Sequence, residues 1–161
     1  MQPATNDRRI SGPEDDRVPL TQAGRERLLA RLEHLESTVL PELSALLRSP
    51  GSEAEASAAF ARGIGETERL SFAVRGAVLT RNLPDDPDMV EVGELVTFSV
   101  PDGSVDSVLI VHPIEAPLDD LRVSFEAPLA AAMLGKRVGE TVHYSTPTGP
   151  ATATIRRAMR V

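Results

Sequence analysis

The sequence predicts an α+β chain: an antiparallel coiled-coil hairpin on the N-terminal side, then an antiparallel sheet with one short helix. Three observations predict it. Leu28, Leu32, Leu35, Val39, Leu43 and Leu46 recur at steps of three and four, which lays one narrow apolar stripe along a helix, close to the 3.5-residue repeat of a coiled-coil seam. Residues 82–88 hold Pro84, Pro87 and three aspartates with no periodicity, which marks a boundary. Beyond it Val96, Phe98 and Val100 alternate with Thr97 and Ser99, the period of a half-buried strand.

Taken in order, residues 1–17 are polar, charged and Pro/Gly-containing, so a disordered tail is expected there. Thr21 is a fitting N-cap for the first helix, preceded by Pro19 and Leu20. The apolar pattern continues past Pro41 to about Leu47, so one helix kinked at Pro41 is expected. Ser49, Pro50, Gly51 and Ser52 then break it. A second helix is expected from Glu53 to about Thr80, with Phe60, Ile64, Phe72, Val74 and Leu79 as its stripe. Gly63, Gly65 and Gly76 dilute it, each costing about 1 kcal/mol relative to Ala in a helix interior. Two such helices make an arm roughly 40 Å long at 1.5 Å per residue. The expected organisation is a hairpin over 18–83, a linker over 84–90 and a sheet module over 91–161.

Within that module, Pro101, Asp102 and Gly103 turn the chain into a second strand over 105–111, and a third spans 121–125. A short helix over 128–134 has Pro128 in its first turn and Gly135 past its end. Strands over 141–145 and 151–161, separated by a turn at 147–150, complete a small antiparallel sheet.

Composition narrows the function classes. With 41% apolar but only 3% aromatic residues and no Trp, packing falls to Ala, Leu and Val. The absence of Cys removes disulfide and thiolate chemistry. No apolar run approaches the ~18 residues of a membrane span, so no membrane association and a cytoplasmic location are expected. The net charge of −7 argues against autonomous DNA binding. Residues 18–83 carry eight Arg and eight acids, whereas residues 84–161 carry six basic and twelve acidic residues, which points to a protein partner with a basic surface. His34, His112 and His143 are scattered without ligand spacing, so no metal site of the chain's own and no cofactor are expected, and the histidines are read as surface or edge residues.

Two blocks carry a resemblance. Residues 127–140 (APLAAAMLGKRVGE), followed by Thr146, Pro147, Thr148 and Gly149, are similar to the S-P-L-G-x-A-L-L-G-K-x-V-G-D and T-P-x-G blocks of the bacterial Gre transcription elongation factors. Pro19, Leu20, Thr21 and Gly24, followed by Leu28, Leu32, Leu35, Pro41 and Glu42, are similar to that family's P-L-T-x-x-G opening and its R-P-E step. The resemblance covers roughly residues 18–161 and extends, more distantly, to the Rnk-type regulators. It implies an FKBP-like C-terminal module docking on core RNA polymerase, and a coiled coil entering the secondary channel, as a monomer. It also implies two acids at the hairpin tip, in a G-D-L-S-E-N-A-E-Y segment, that help hold the polymerase's catalytic Mg²⁺ while a backtracked transcript is cleaved. Carboxylates suit that task because Mg²⁺ is a hard ion seeking oxygen ligands.

The tip is where this chain departs. Counted without a gap from Pro41, Glu55 falls on the family's Asp, and Ala58 falls on its Glu. Glu53 and Glu55 are then the candidate active-centre contacts. They could reach the polymerase Mg²⁺ together if they lay on a loop, whereas on a helix their spacing points them apart, and the plain alternative is a solvated acid pair favoured by the helix dipole. Arg62, Arg69 and Arg75 are candidates for RNA or channel-wall contact, against a plain reading as solvent-facing charges. Glu126, Ala127, Pro128 and Leu129 form the candidate docking corner, against simple packing of Leu129 on the sheet.

The expected function is binding polymerase and modulating or inhibiting it through the channel, with no reaction catalysed by the chain itself. The alternatives are a transcript-cleavage factor and, in another class, a prolyl isomerase using Phe98, Phe125 and Tyr144.

Overall fold

The structure, a computed structural model, describes residues 17–161 except Ser52. The expected tail over 1–17 therefore lies outside the described residues, apart from exposed Arg17.

Helix α1 (Gln22–His34) starts at Thr21, whose hydroxyl accepts the Gly24 N–H at 2.9 Å. A π turn (Leu35–Val39) follows, and α2 (Leu40–Leu46) continues the same run. Leu40 N–H reaches back to Leu35 O, a wider turn than the α-helical one. It sits just before Pro41, which has no N–H to give and would crowd the preceding turn. Here the break in the α-helical ladder that proline demands takes the form of one wide turn.

Helix α3 (Glu53–Arg75) runs back along α1 and α2. Arg31 meets Glu66 at 2.8 Å near the root, and Gly63 faces the Leu40 side chain farther out. Val18, Leu20, Leu28, Leu35, Leu70 and Ala73 form the buried core of this helix pair. Farther out α2 buries no residue and Leu46 is exposed, while Ala56 and Gly63 of α3 stay buried.

The second helix ends at Arg75, five residues short of the expected Thr80. After Gly76 the chain turns extended as β2 (Ala77–Leu79), in parallel register with β1 (Val18–Leu20), a pair the helical spacing of Val74 and Leu79 concealed. Pro19 is tolerated because this two-stranded ribbon leaves one side of each strand unpaired.

The second layer is a five-stranded sheet in the order β5-β4-β3-β7-β6. Its strands are β3 (Glu94–Ser99), β4 (Val105–Val111), β5 (Arg122–Ser124), β6 (Thr141–Thr146) and β7 (Gly149–Arg160). All pairings are antiparallel except β4 with β5, which is parallel. The wholly antiparallel sheet expected from sequence is corrected at that edge: the chain leaves β4 at His112 and crosses through a 3₁₀ turn (Ala116–Leu118) before re-entering in the same direction.

Helix α4 (Pro128–Met133) lays Ala130 and Met133 on the sheet core of Val96, Phe98, Ile110, Val142, Ala153 and Ile155. Full burial of one such aliphatic side chain contributes about 1.5–3 kcal/mol. Val90 belongs to the same core and Met89 bridges Arg137, so the stretch read as a linker over 84–90 ends as part of the sheet layer.

Candidate functional site

At the far end of the helix pair, Arg48 N–H bonds Ala45 O and Ser49 N–H bonds Leu46 O, closing α2. Gly51, at φ +94°, reverses the chain. Glu53 and Glu55 both lie in the first turn of α3, where the helix dipole favours acids, and both are exposed. At 100° per residue their side chains leave the axis about 200° apart, so they do not converge on one point. Ala58, also exposed, lies one turn further along.

The corner before α4 is built by Ser124, whose backbone carbonyl accepts from Ala127 N–H at 2.9 Å and whose Oγ accepts from Glu126 N–H at 3.1 Å. Pro128 occupies the first turn, where a missing N–H costs nothing. Glu126 and Pro128 face solvent, Ala127 is half-buried, and Leu129 packs against the sheet core. His112 lies beside this corner, edge-on to Phe125 with ring centroids 5.5 Å apart. Its Nδ1 accepts from Ile114 N–H at 3.2 Å. Burial holds its pKa below the usual imidazole value, against an opposing pull from Glu126. It is thus a packing residue, unlike the exposed His34 and His143. Phe98 is buried within the core.

Arg62, Arg69 and Arg75 are all exposed on α3. Arg69 and Arg75 border an open cavity of about 1220 Å³ between the helix pair and residues 112–118, together with exposed Phe72. Arg62 is not part of that lining. Arg75 lies roughly 30 Å along α3 from Glu55 at 1.5 Å per residue, so the arginines and the tip acids are separate places.

Two clusters escaped the sequence reading. In the first, Glu115 is fully buried where residues 112–118 meet the start of α1. It accepts Thr21 N–H at Oε1 and the Thr21 hydroxyl at Oε2, each at 2.7 Å. Burial raises its pKa, opposed by these bonds and by Arg122. Arg27 bridges Asp119 at 2.7 Å, and Arg122 also pairs with Asp119. The available signal was an acid between Ile114 and Ala116, facing a Thr-x-x-Gly opening.

In the second cluster, Arg160 near the C-terminus donates to Thr80 O at 2.7 Å, Asp85 at 3.0 Å and Glu91 at 2.6 Å. Asp85, Glu91 and Glu94 are the one group of acids among the described residues close enough to share a metal ion, and the Arg160 guanidinium already supplies the positive charge there. Burial is the main cause that pushes the Glu94 carboxyl up to about 7; Asp85 and Glu91 add to it, while the Glu91 N–H and Arg160 oppose it. No helix among the described residues is long and apolar enough to cross a membrane.

The family model "Transcription elongation factor, GreA/GreB, C-term" matches residues 84–159. Transcription elongation factor GreA of Geobacillus kaustophilus is 31% identical over 147 residues, covering 84% of this chain and 92% of that protein. The GreA of Thermomicrobium roseum is 34% identical over 152 residues, covering 87% and 96%. A solved structure, GreA factor homolog 1 (Gfh1) of Thermus thermophilus, is 27% identical, covers 89% of this chain and 99% of that one, and gives a TM-score of 0.41. With the sequence identity spanning both the helix pair and the sheet module, the chain belongs to the GreA/GreB family of transcription elongation factors.

Proposed function

We propose that this factor binds core RNA polymerase through its sheet module and inserts its helix pair into the secondary channel, where it modulates or inhibits transcription. In this reading residues 18–83 are a coiled-coil hairpin, residues 91–161 an FKBP-like docking module joined to it through 84–90, and the chain acts as a cytoplasmic monomer. It catalyses nothing itself and acts on the polymerase. The corner at Glu126, Ala127, Pro128 and Leu129 is the docking edge, with Glu126 and Pro128 presented to solvent. Arg62, Arg69 and Arg75, exposed along α3, are the contacts to RNA or the channel wall.

The observation that carries the choice of modulation over cleavage is the tip. Glu53 and Glu55 diverge from one helical turn, and exposed Ala58 offers no oxygen where the family pattern has a carboxylate. A single tip carboxylate can touch the polymerase Mg²⁺, but an octahedral ion held on two sides needs two converging ligands. The test is transcript cleavage on backtracked complexes with the wild-type chain and Glu55→Ala. Slowed elongation without cleavage is the expected result. Cleavage by the wild type that disappears in Glu55→Ala would establish the cleavage-factor alternative, and failure to co-elute with core polymerase would end the polymerase reading altogether.

A further inference from the structure

Helix α1 opens with half of a capping box. In the complete motif, an N-cap Thr bonds the N–H of the third helical residue, and a Glu at that third position reaches back to the N-cap N–H. Here Thr21 is the N-cap and its hydroxyl takes the Gly24 N–H at 2.9 Å, but the third position is glycine. The carboxylate comes instead from Glu115, ninety-four residues away, which accepts the Thr21 N–H at 2.7 Å. Its second oxygen accepts the Thr21 hydroxyl. A Cβ on Gly24 would overlap this carboxylate, so Glu115 stands in the space that a side chain at position 24 would fill.

We propose that Glu115 is a positioning residue: it completes the α1 capping box from the sheet module and so fixes the angle at which the helical arm leaves that module. Two oxygens on two donors of one residue fix direction as well as distance, which a single contact does not. The neighbours act in the same sense. Ile114 and Leu118, flanking Glu115, pack on the helix-pair core, and Asp119 bridges Arg27 of α1. Arg122, on β5, lies 3.6 Å from Glu115 and pairs with Asp119, tying the cap to the sheet. Burying a carboxylate is costly, and a Glu at position 24 would cap the helix equally well from within. What the local version would lose is the link between the two parts.

The function this serves, aiming the tip within the channel, rests on the polymerase reading above, whereas the geometry does not. The chain lacks cysteine, so spin labels at Ser57→Cys on α3 and His143→Cys on β6, both exposed, report the arm–sheet distance. The decisive variant is Gly24→Glu with Glu115→Ala, which moves the capping carboxylate into α1. We expect wild-type helix content and urea midpoint close to wild type, with a distance distribution broadened relative to wild type. Glu115→Ala alone should broaden it and lower the midpoint. Glu115→Gln, which keeps an acceptor for the Thr21 N–H, should hold it nearer the wild-type width and carries the comparison should Glu115→Ala not fold.

On polymerase, the double variant should lose at least about tenfold of the effect on elongation or cleavage while its affinity for core enzyme stays within about threefold. A wild-type distance distribution in the double variant overturns the proposal, as does a loss of affinity equal to the loss of effect. A wild-type chain that ignores polymerase would refute the functional reading and leave the distance result to decide the positioning role.

Discussion

The carboxylate of Glu115 occupies the position that a Cβ on Gly24 would need, so glycine is required there by a residue of the other structural unit. Helix propensity alone favours Ala over Gly by about 1 kcal/mol, whereas overpacking costs about 1–3 kcal/mol. Gly24→Ala should therefore destabilise the chain by up to about 2 kcal/mol. In a Glu115→Ala background the same change should become neutral or stabilising. Urea denaturation of the four chains measures the coupling, and an equal penalty in both backgrounds would show that the clash lies elsewhere.

Glu94 gives stability a pH dependence of definite sign. Its folded pKa of about 7 lies above the ordinary carboxylate value, so between roughly pH 4.5 and 7 folding takes up a proton. Its contribution is whole below that window and is lost as pH rises through it. Glu94→Gln, fixed in the neutral form, should gain on the wild type by about 2–3 kcal/mol between pH 5 and pH 8. A stability difference that stays flat across that range would contradict the assignment.

Arg160 ties the segment after β2 to the last strand through Thr80 O, Asp85 and Glu91. Removing one partner of a buried charge cluster costs about 3–5 kcal/mol, and the half-open acids lower that to about 2–4 kcal/mol for Arg160→Ala. Thermal unfolding should register the loss, and Glu94 in this variant should titrate higher still. A change below about 0.5 kcal/mol would show the cluster to be surface decoration.

Gly63 and Gly65 look alike in sequence and differ in space. A Cβ at Gly65 meets nothing, so Gly65→Ala should stabilise α3 by about 0.5–1 kcal/mol. At Gly63 it would come 2.9 Å from Leu40 Cδ2, the movable end of a flexible side chain. Gly63→Ala should therefore fall near neutrality, gain and crowding offsetting one another. Circular dichroism melts of the two single variants separate the cases, and a Gly63→Ala gain equal to that of Gly65→Ala would refute the contact.

The parts legible in the sequence were those whose signal is periodic and local. Leu28 and Leu32 announced α1, and the alternation about Phe98 announced β3, because each pattern is set by the geometry of one element. The β1–β2 pairing was hidden because Val74 and Leu79 also extend a helical spacing, and only Gly76 marked the change. The parallel edge at β5 was hidden because a three-residue strand carries no directional signal. The tip acids were legible as residues, but whether they converge depended on where α3 begins. Glu115 and Arg160 stayed invisible as ties because a buried charge is specified by partners far away in the chain.

The parallel ribbon of β1 and β2 brings residues 18–20 and 77–79 side by side, so everything between them starts and finishes at one place. The arm is then a cassette with a single root. A homologous hairpin of another length can be spliced at Leu20 and Ala77 without rethreading the sheet, provided that its opening keeps the threonine and the glycine that Glu115 engages.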